Sequence, residues 1–230
     1  MICAAPQADL IILPEMFTTG FVTSPKGVAE QAGAQTLDWM KRVAVERDAA
    51  VAGSVAVTEG GKNYNRFFFV KPDGSYAAYD KRHLFTFAGE HREYEAGKER
   101  VVVEWRGFRI LLQICYDLRF PVFARNRGDL DMIIYVANWP KPRIEVWNTL
   151  LRARAMENVC YVAGVNRVGE DPACEYVGGS AFVDFRGDVV ARAADCEEAV
   201  VEAAADRTAL DEFRHKFPAL GDADSFSLKI

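Results

Sequence analysis

Several short runs of this chain are apolar almost throughout, among them Val51 to Val57, Leu111 to Cys115, Met132 to Ala137 and Cys160 to Val165. A strand facing water on one side alternates apolar and polar residues, whereas a continuously apolar strand needs cover on both faces. Two amphipathic segments offer that cover. Ala34 to Asp48 sets Leu37, Met40, Val43, Ala44 and Arg47 at helical spacing, and Arg143 to Asn158 puts Val146, Leu150, Ala153 and Met156 on one side. Strands covered by helices predict a layered α/β sandwich. At 230 residues, half of them apolar, the chain can bury a substantial core. No Pro/Ser-rich linker, repeat or low-complexity stretch divides it, so residues 1–230 read as one domain.

Punctuation between the runs orders them further. Asp9 to Leu13 is a strand stopped by Pro14. Gly60-Gly61 and Pro72-Asp73-Gly74 turn Val51 to Val57, Asn65 to Val70 and Tyr76 to Tyr79 into a meander. Arg106-Gly107 joins Val101 to Trp105 with Phe108 to Cys115. Ser180 to Phe185, Val189 to Arg192 and Ala199 to Glu202 are expected as strands, with Arg186-Gly187-Asp188 as a turn, and Thr208 to Lys216 as a last helix before Pro218.

Composition narrows the function. A net charge of −5 argues against nucleic-acid binding, which needs clustered cations. No apolar run approaches a membrane span, and Met1 to Pro6 lacks the basic flank of a signal peptide. Cys3, Cys115, Cys160, Cys174 and Cys196 are odd in number and scattered, which fits a reducing cytoplasm and neither a disulfide framework nor a zinc site. With only His83, His91 and His215, a multi-histidine metal centre is not expected.

Three strand ends carry reactive groups. Cys115 sits where an apolar strand gives way to the polar turn Tyr116-Asp117, at the carboxyl edge where open α/β sheets bind ligands. Were the amphipathic stretch Phe120 to Asn126 helical, its positive end would favour a thiolate there. The ordinary alternative is a buried thiol acting as a small hydrophobe. Glu15 follows a strand among apolar neighbours, where desolvation would raise its pKa and suit a proton shuttle. Lys81 ends the meander before Leu84-Phe85 and would supply a fixed cation for a developing oxyanion. Taken singly, each charge is an ordinary surface residue. Serine chemistry has no G-x-S-x-G support, and a Cys–His pair through His83 or His91 is the weaker alternative to Glu15.

In this order the segments resemble the Glu–Lys–Cys triad of the nitrilase (carbon–nitrogen hydrolase) superfamily. Leu13-Pro14-Glu15 matches its first motif, Asp80-Lys81 its second, and Cys115-Tyr116-Asp117-Leu118-Arg119-Phe120-Pro121 its third. The resemblance implies a second glutamate between lysine and cysteine, best matched by Glu90, with Glu93 and Glu95 close by. Met16-Phe17-Thr18-Thr19-Gly20-Phe21, His83-Leu84-Phe85 and Tyr135-Val136-Ala137-Asn138-Trp139-Pro140 resemble the omega-amidase group, its bacterial YafV-like members in particular.

That resemblance implies a four-layer α-β-β-α sandwich of two mixed sheets, assembled as a homo-oligomer (dimer or higher), and cofactor-free hydrolysis of small 2-oxo acid amides. Cys115 would be the nucleophile, Glu15 the proton shuttle, Lys81 and the Tyr116 backbone N–H the oxyanion donors, and Glu90 an orienting group. Under this reading Lys81→Ala should be nearly inactive yet folded, and Cys115→Ser inactive. A substrate carboxylate would need a cation, for which Arg119, Arg143 and Arg152 are candidates; for Arg119 a structural ion pair is the favoured reading. Deaminated-glutathione amidase, N-carbamoyl amino acid hydrolase and a non-catalytic relative are the rival readings. Family members usually open with a strand and helix before the first glutamate, so an initial β–α unit of about 30 residues is expected to be absent. Met1 to Gln7 then reads as the tail of that helix.

Overall fold

A computed structural model describes residues 6–228. The reading of Met1 to Gln7 as a helix tail falls mostly outside these residues. Gln7 itself lies in irregular chain and donates to the Arg47 carbonyl at 2.6 Å.

The first half builds one sheet and its helix. β1 (Leu10–Ile12), β2 (Glu30–Gln31), α1 (Ala34–Arg47), β3 (Ala50–Glu59), β4 (Lys62–Val70) and β5 (Tyr76–Asp80) follow in order. The sheet runs β1-β3-β4-β5, with β2 also on β3. β3, β4 and β5 form the expected antiparallel meander, and β1 lies parallel to β3 with Leu10 opposite Ala50. β3 is buried from Ala50 to Val57, so both faces need a partner. Period-two alternation sends Ala50 and Ala52 one way and Val51, Val55 and Val57 the other, onto Leu37, Met40, Val43 and Ala44 of α1.

The second half repeats the design. β6 (Val102–Trp105), β7 (Phe108–Ile114), β8 (Met132–Ala137), α2 (Ile144–Asn158), β9 (Tyr161–Asn166), β10 (Val168–Glu170), β11 (Glu175–Val177), β12 (Ala181–Val183), β13 (Val189–Arg192) and α3 (Arg207–Lys216) complete the described regular elements, short 3₁₀ turns apart. The six-stranded sheet runs β13-β12-β9-β8-β7-β6, parallel at β7–β8–β9 and antiparallel elsewhere. One apolar cluster joins Ala50, Ala52, Phe67, Phe69 and Tyr79 of the first sheet to Ile110, Leu112, Ile114, Ile134 and Val136 of the second. The two sheets therefore pack face to face, α1 outside one and α2 outside the other, giving the α-β-β-α sandwich.

Some expectations need correcting. Phe120 to Asn126 is not helical; the turn starts earlier, as a 3₁₀ helix over Cys115–Arg119, and Pro121 follows it. α2 buries Trp147, Leu151, Arg154, Ala155 and Asn158, leaving Met156 of the expected face 47% exposed. The large indole decides which stripe turns inward. Gly164 on β9 makes room for it, since a Cβ there would stand 2.8 Å from Trp147 and 2.5 Å from Leu151. Ala199 to Glu202 forms no strand: β13 is the edge of its sheet, and the segment runs past it largely exposed, without ladder bonds. The β10–β11 hairpin was not anticipated from the sequence.

Below β8, the buried Asp131 carboxylate gathers Arg109 (2.8 Å), Arg214 (2.6 Å) and Arg207 (3.1 Å), tying α3 to the second sheet. Despite burial, these hydrogen bonds and charges hold its pKa well below the usual carboxylate range. A depressed carboxylate stabilises the fold above its unfolded pKa and loses that contribution as pH falls through its folded one. Asp131→Ala should destabilise the protein by about 3 kcal/mol, the low end for a broken buried pair because the arginines keep access to water. In urea melts the difference from the parent should persist at pH 7 and shrink under strongly acidic conditions.

Candidate active site

The chemistry-bearing residues converge where strand ends of both sheets meet. After β1 the chain follows β3, Leu13 donating to Ala52 at 2.8 Å and Met16 to the Ser54 Oγ at 2.9 Å. This delivers Glu15, which is 1% exposed. Met16 adopts a left-handed φ of 43°, strained for a side-chain-bearing residue. Lys81 follows β5, its N–H bonded to Asn65 and its carbonyl to Gly97. Gly97 has to be glycine here, because a Cβ would meet the Asp80 carbonyl oxygen at 2.0 Å.

Lys81 is fully buried. Its Nζ donates to Glu15 Oε1 at 2.9 Å and to Glu90 Oε1 and Oε2 at 3.1 and 3.0 Å. Phe21 lies across the same ammonium, its ring centroid 5.5 Å away. Burial alone would depress the Lys81 pKa, but the two carboxylates outweigh it and hold the group firmly protonated. Burial likewise pushes Glu90 up, Lys81 opposing and Glu15 reinforcing the shift. Of the three glutamates offered for the auxiliary position, only Glu90 reaches the lysine; Glu93 and Glu95 are exposed, and Glu95 pairs with Lys62 instead.

Two asparagines that sequence reasoning missed complete the Glu15 shell. Asn65 Nδ2 donates to Glu15 Oε1 at 2.7 Å, while the Asn138 backbone N–H donates to Oε2 at 2.9 Å. Asn138 Nδ2 also reaches the Glu15 carbonyl at 2.8 Å. Asn138 follows β8 and its neighbour is clamped to the next strand: Trp139 N–H donates to Asn166 Oδ1 at 2.6 Å, and Asn166 Nδ2 returns to the Trp139 carbonyl at 3.0 Å. The available signals were Asn65, just before the apolar run Phe67 to Val70 of β4, and the quoted Tyr135–Pro140 segment.

Cys115 follows β7 and opens the 3₁₀ turn with a left-handed φ of 44°. Tyr116 comes next, in the opening turn of a helix, where N–H groups have no partner within the helix. The turn is held by Asp117, a fully buried carboxylate accepting from Ile114 N–H (2.9 Å), Tyr79 Oη (2.7 Å), His83 N–H (2.9 Å) and His83 Nδ1 (2.8 Å). Arg154 of α2 supports it from behind, donating to the Leu118 carbonyl at 2.7 Å. His83 is thus engaged with Asp117 and stacks on Phe120 at 3.9 Å. Although Cys115 is only half-buried as a residue, desolvation pushes its thiol pKa well up, Glu15 and Glu90 adding to the shift and Lys81 opposing it. The sulfur is thus held towards the neutral thiol, and since Phe120 to Asn126 is not helical the condition set for a thiolate is not met; any nucleophilic use of it would need a base beside it.

Lys81 also has a structural part to play, as the cation between two buried carboxylates. Its loss would leave two buried carboxylates without a cation, a cost of about 3–5 kcal/mol, so Lys81→Ala should fold with reduced stability. In Lys81→Met the folded state should take up a proton between Glu15 and Glu90. A carboxyl whose folded pKa is raised loses stability as pH rises towards that value. The melting temperature of Lys81→Met should accordingly lie further below the parent at pH 8 than at pH 5.

Comparison with known proteins identifies the family. The carbon-nitrogen hydrolase family model matches residues 2–215. The chain is 51% identical over 225 residues to Omega-amidase YafV of Yersinia enterocolitica, covering 96% of this chain and 87% of that protein. It is 36% identical over 221 residues to 2-oxoglutaramate amidase of Bacillus subtilis, covering 94% and 85%. Among solved structures it resembles XC1258 from Xanthomonas campestris, a CN-hydrolase superfamily protein with an arsenic adduct in its active site. The TM-score is 0.92 at 47% identity, over 98% of this chain and 88% of that one. The residues at the sheet edges, the sandwich that holds them and these likenesses lead to one assignment: the chain belongs to the carbon-nitrogen hydrolase family.

Proposed function

We propose that this protein is an amidase that hydrolyses the terminal amide of small 2-oxo acid amides, of the 2-oxoglutaramate and 2-oxosuccinamate type, to the acid and ammonia. The observation that carries the chemistry is the buried Glu15–Lys81–Glu90 ion cluster together with Cys115 at the start of its 3₁₀ turn. Similarity to an omega-amidase and to a 2-oxoglutaramate amidase supports the substrate class.

In this reading Cys115 Sγ attacks the amide carbonyl carbon while Glu15 takes the thiol proton. The carbonyl oxygen becomes an oxyanion held by Lys81 Nζ and the Tyr116 N–H. Glu15 passes its proton to the amide nitrogen, the C–N bond breaks, ammonia leaves and a thioester remains. Water then attacks the thioester carbonyl, Glu15 taking its proton and returning it to the departing sulfur. Glu90 keeps Lys81 in place without approaching the reacting atoms. The hydrogen bonds from Lys81, Asn65 and the Asn138 backbone fix the orientation of the Glu15 carboxylate before substrate arrives.

Residues 1–230 act on this view as one hydrolase domain, needing no metal or cofactor and partnered by a small amide. The free Cys115, Cys160, Cys174 and Cys196 support a reducing cytoplasm. No described helix is long and apolar enough to cross a membrane. Assembly as a dimer or higher homo-oligomer belongs to the same reading.

Cys115→Ala should release no ammonia from 2-oxoglutaramate. Removal of one oxyanion donor should cost roughly 10²–10³ in kcat. Rapid quenching of the parent with substrate should trap an acyl adduct on Cys115 by mass spectrometry. Full activity of Cys115→Ala, or an adduct on another residue, would refute the assignment. Ammonia release without carbon dioxide separates this reaction from carbamoyl hydrolysis.

A further inference from the structure

Buried or half-buried guanidinium groups in this protein find oxygen partners almost without exception. Among the described residues, Arg47, Arg66, Arg82, Arg100, Arg109, Arg125, Arg154, Arg167, Arg207 and Arg214 each donate to a carboxylate or a carbonyl. Arg119 and Arg143 are half-buried too, yet neither is in a salt bridge or donates a side-chain hydrogen bond to the chain. Each lies instead over an aromatic ring. The Arg119 guanidinium carbon is 5.2 Å from the Trp139 centroid, and that of Arg143 is 5.4 Å from the Phe85 centroid. The favoured sequence reading of Arg119 as half of an ion pair is therefore not met.

Both rings border the site. Phe85 packs 5.1 Å from Tyr116, the residue after Cys115, and its backbone N–H donates to Glu90 Oε2 at 2.5 Å. Trp139 directly follows Asn138, which holds Glu15, and its Nε1 donates to the Arg143 carbonyl at 2.8 Å. Arg119 closes the 3₁₀ turn that Cys115 opens. Arg152, the third sequence candidate, is tied elsewhere, its Nε donating to the Gly187 carbonyl at 2.8 Å.

We propose that Arg119 and Arg143 form the subsite for the carboxylate at the far end of the amide substrate, and so select anionic over neutral amides. This rests on the amidase reading above. A guanidinium that gives its π face to an aromatic ring keeps its in-plane N–H groups for bidentate pairing with a carboxylate. Electrostatics requires such a device. Glu15 and Glu90 flank the reacting end with a single lysine between them, so an anionic substrate needs its own cations some way off. A 2-oxo dicarboxylate monoamide has that layout, with a neutral amide at one end and a carboxylate at the other.

The test compares 2-oxoglutaramate with valeramide, a neutral amide of equal chain length. In Arg143→Gln the ratio of kcat/KM for the anionic over the neutral amide should fall about 10–100-fold, the scale of a lost hydrogen bond to a charged group. The loss should lie mainly in KM. Arg143→Lys should recover part of it, since charge returns without the fork. Arg119→Gln should shift the ratio in the same direction. An unchanged ratio in both glutamine variants overturns the subsite while leaving the amidase intact. If the parent hydrolyses neither amide, the amidase reading fails, and binding decides the subsite. Calorimetric affinity of Cys115→Ala for 2-oxoglutarate should drop about 10–100-fold on adding Arg143→Gln, and an equal Kd overturns the proposal.

Discussion

One ammonium group buried between two carboxylates underlies the organisation of this molecule. Lys81, Glu15 and Glu90 come from three separate segments, and none could be buried alone without a heavy desolvation cost. Together they offset one another, and the segments must then meet with bonds near 3 Å. The surrounding fold serves that requirement. β3 steers the chain bearing Glu15, β5 ends at Lys81, and Gly97 permits the close approach that fixes the lysine backbone.

Both sheets contribute residues to the site. Glu15 and Lys81 follow strands of the first sheet, whereas Cys115 and Asn138 follow β7 and β8 of the second. Both Cys115 and Met16 occupy left-handed backbone conformations, strain that persists only where neighbouring bonds over-determine the chain. Those bonds are present: Asp117 and Arg154 grip the turn after Cys115, and Ser54 grips Met16. The strained residues thus sit at the site, one being Cys115 itself and the other directly following Glu15.

The layers were legible in the sequence because continuously apolar strands admit few alternatives to cover on both faces. Glu15, Lys81 and Cys115 were legible only jointly, through the resemblance of three ordered motifs to one family, since each taken singly is an ordinary residue. What stayed hidden depends on partners remote in the chain. Asn138 meets Glu15 across 123 positions, Asn65 meets it across 50, and Tyr79 meets Asp117 across 38. No local pattern encodes those pairings. The inward face of α2 was misread for a related reason, since two apolar stripes were available and the cavity over Gly164 selects the one bearing Trp147. The turn at Cys115 was misplaced because an Asp117 side chain, bonding back to Ile114, starts the helix earlier than the apolar pattern indicates.

The grip of Asp117 has a mechanical corollary. Its carboxylate takes hydrogen bonds from Tyr79 on the first sheet and from Ile114 on the second, two residues short of the lysine and one short of the cysteine. The apolar contact between the sheets is non-directional and would tolerate a small slide of one layer over the other. The carboxylate is directional and would not. It works as a caliper set across the sandwich, so the gap between Cys115 and Lys81 is gauged by one side chain that itself stands outside the Glu15–Lys81–Glu90 cluster.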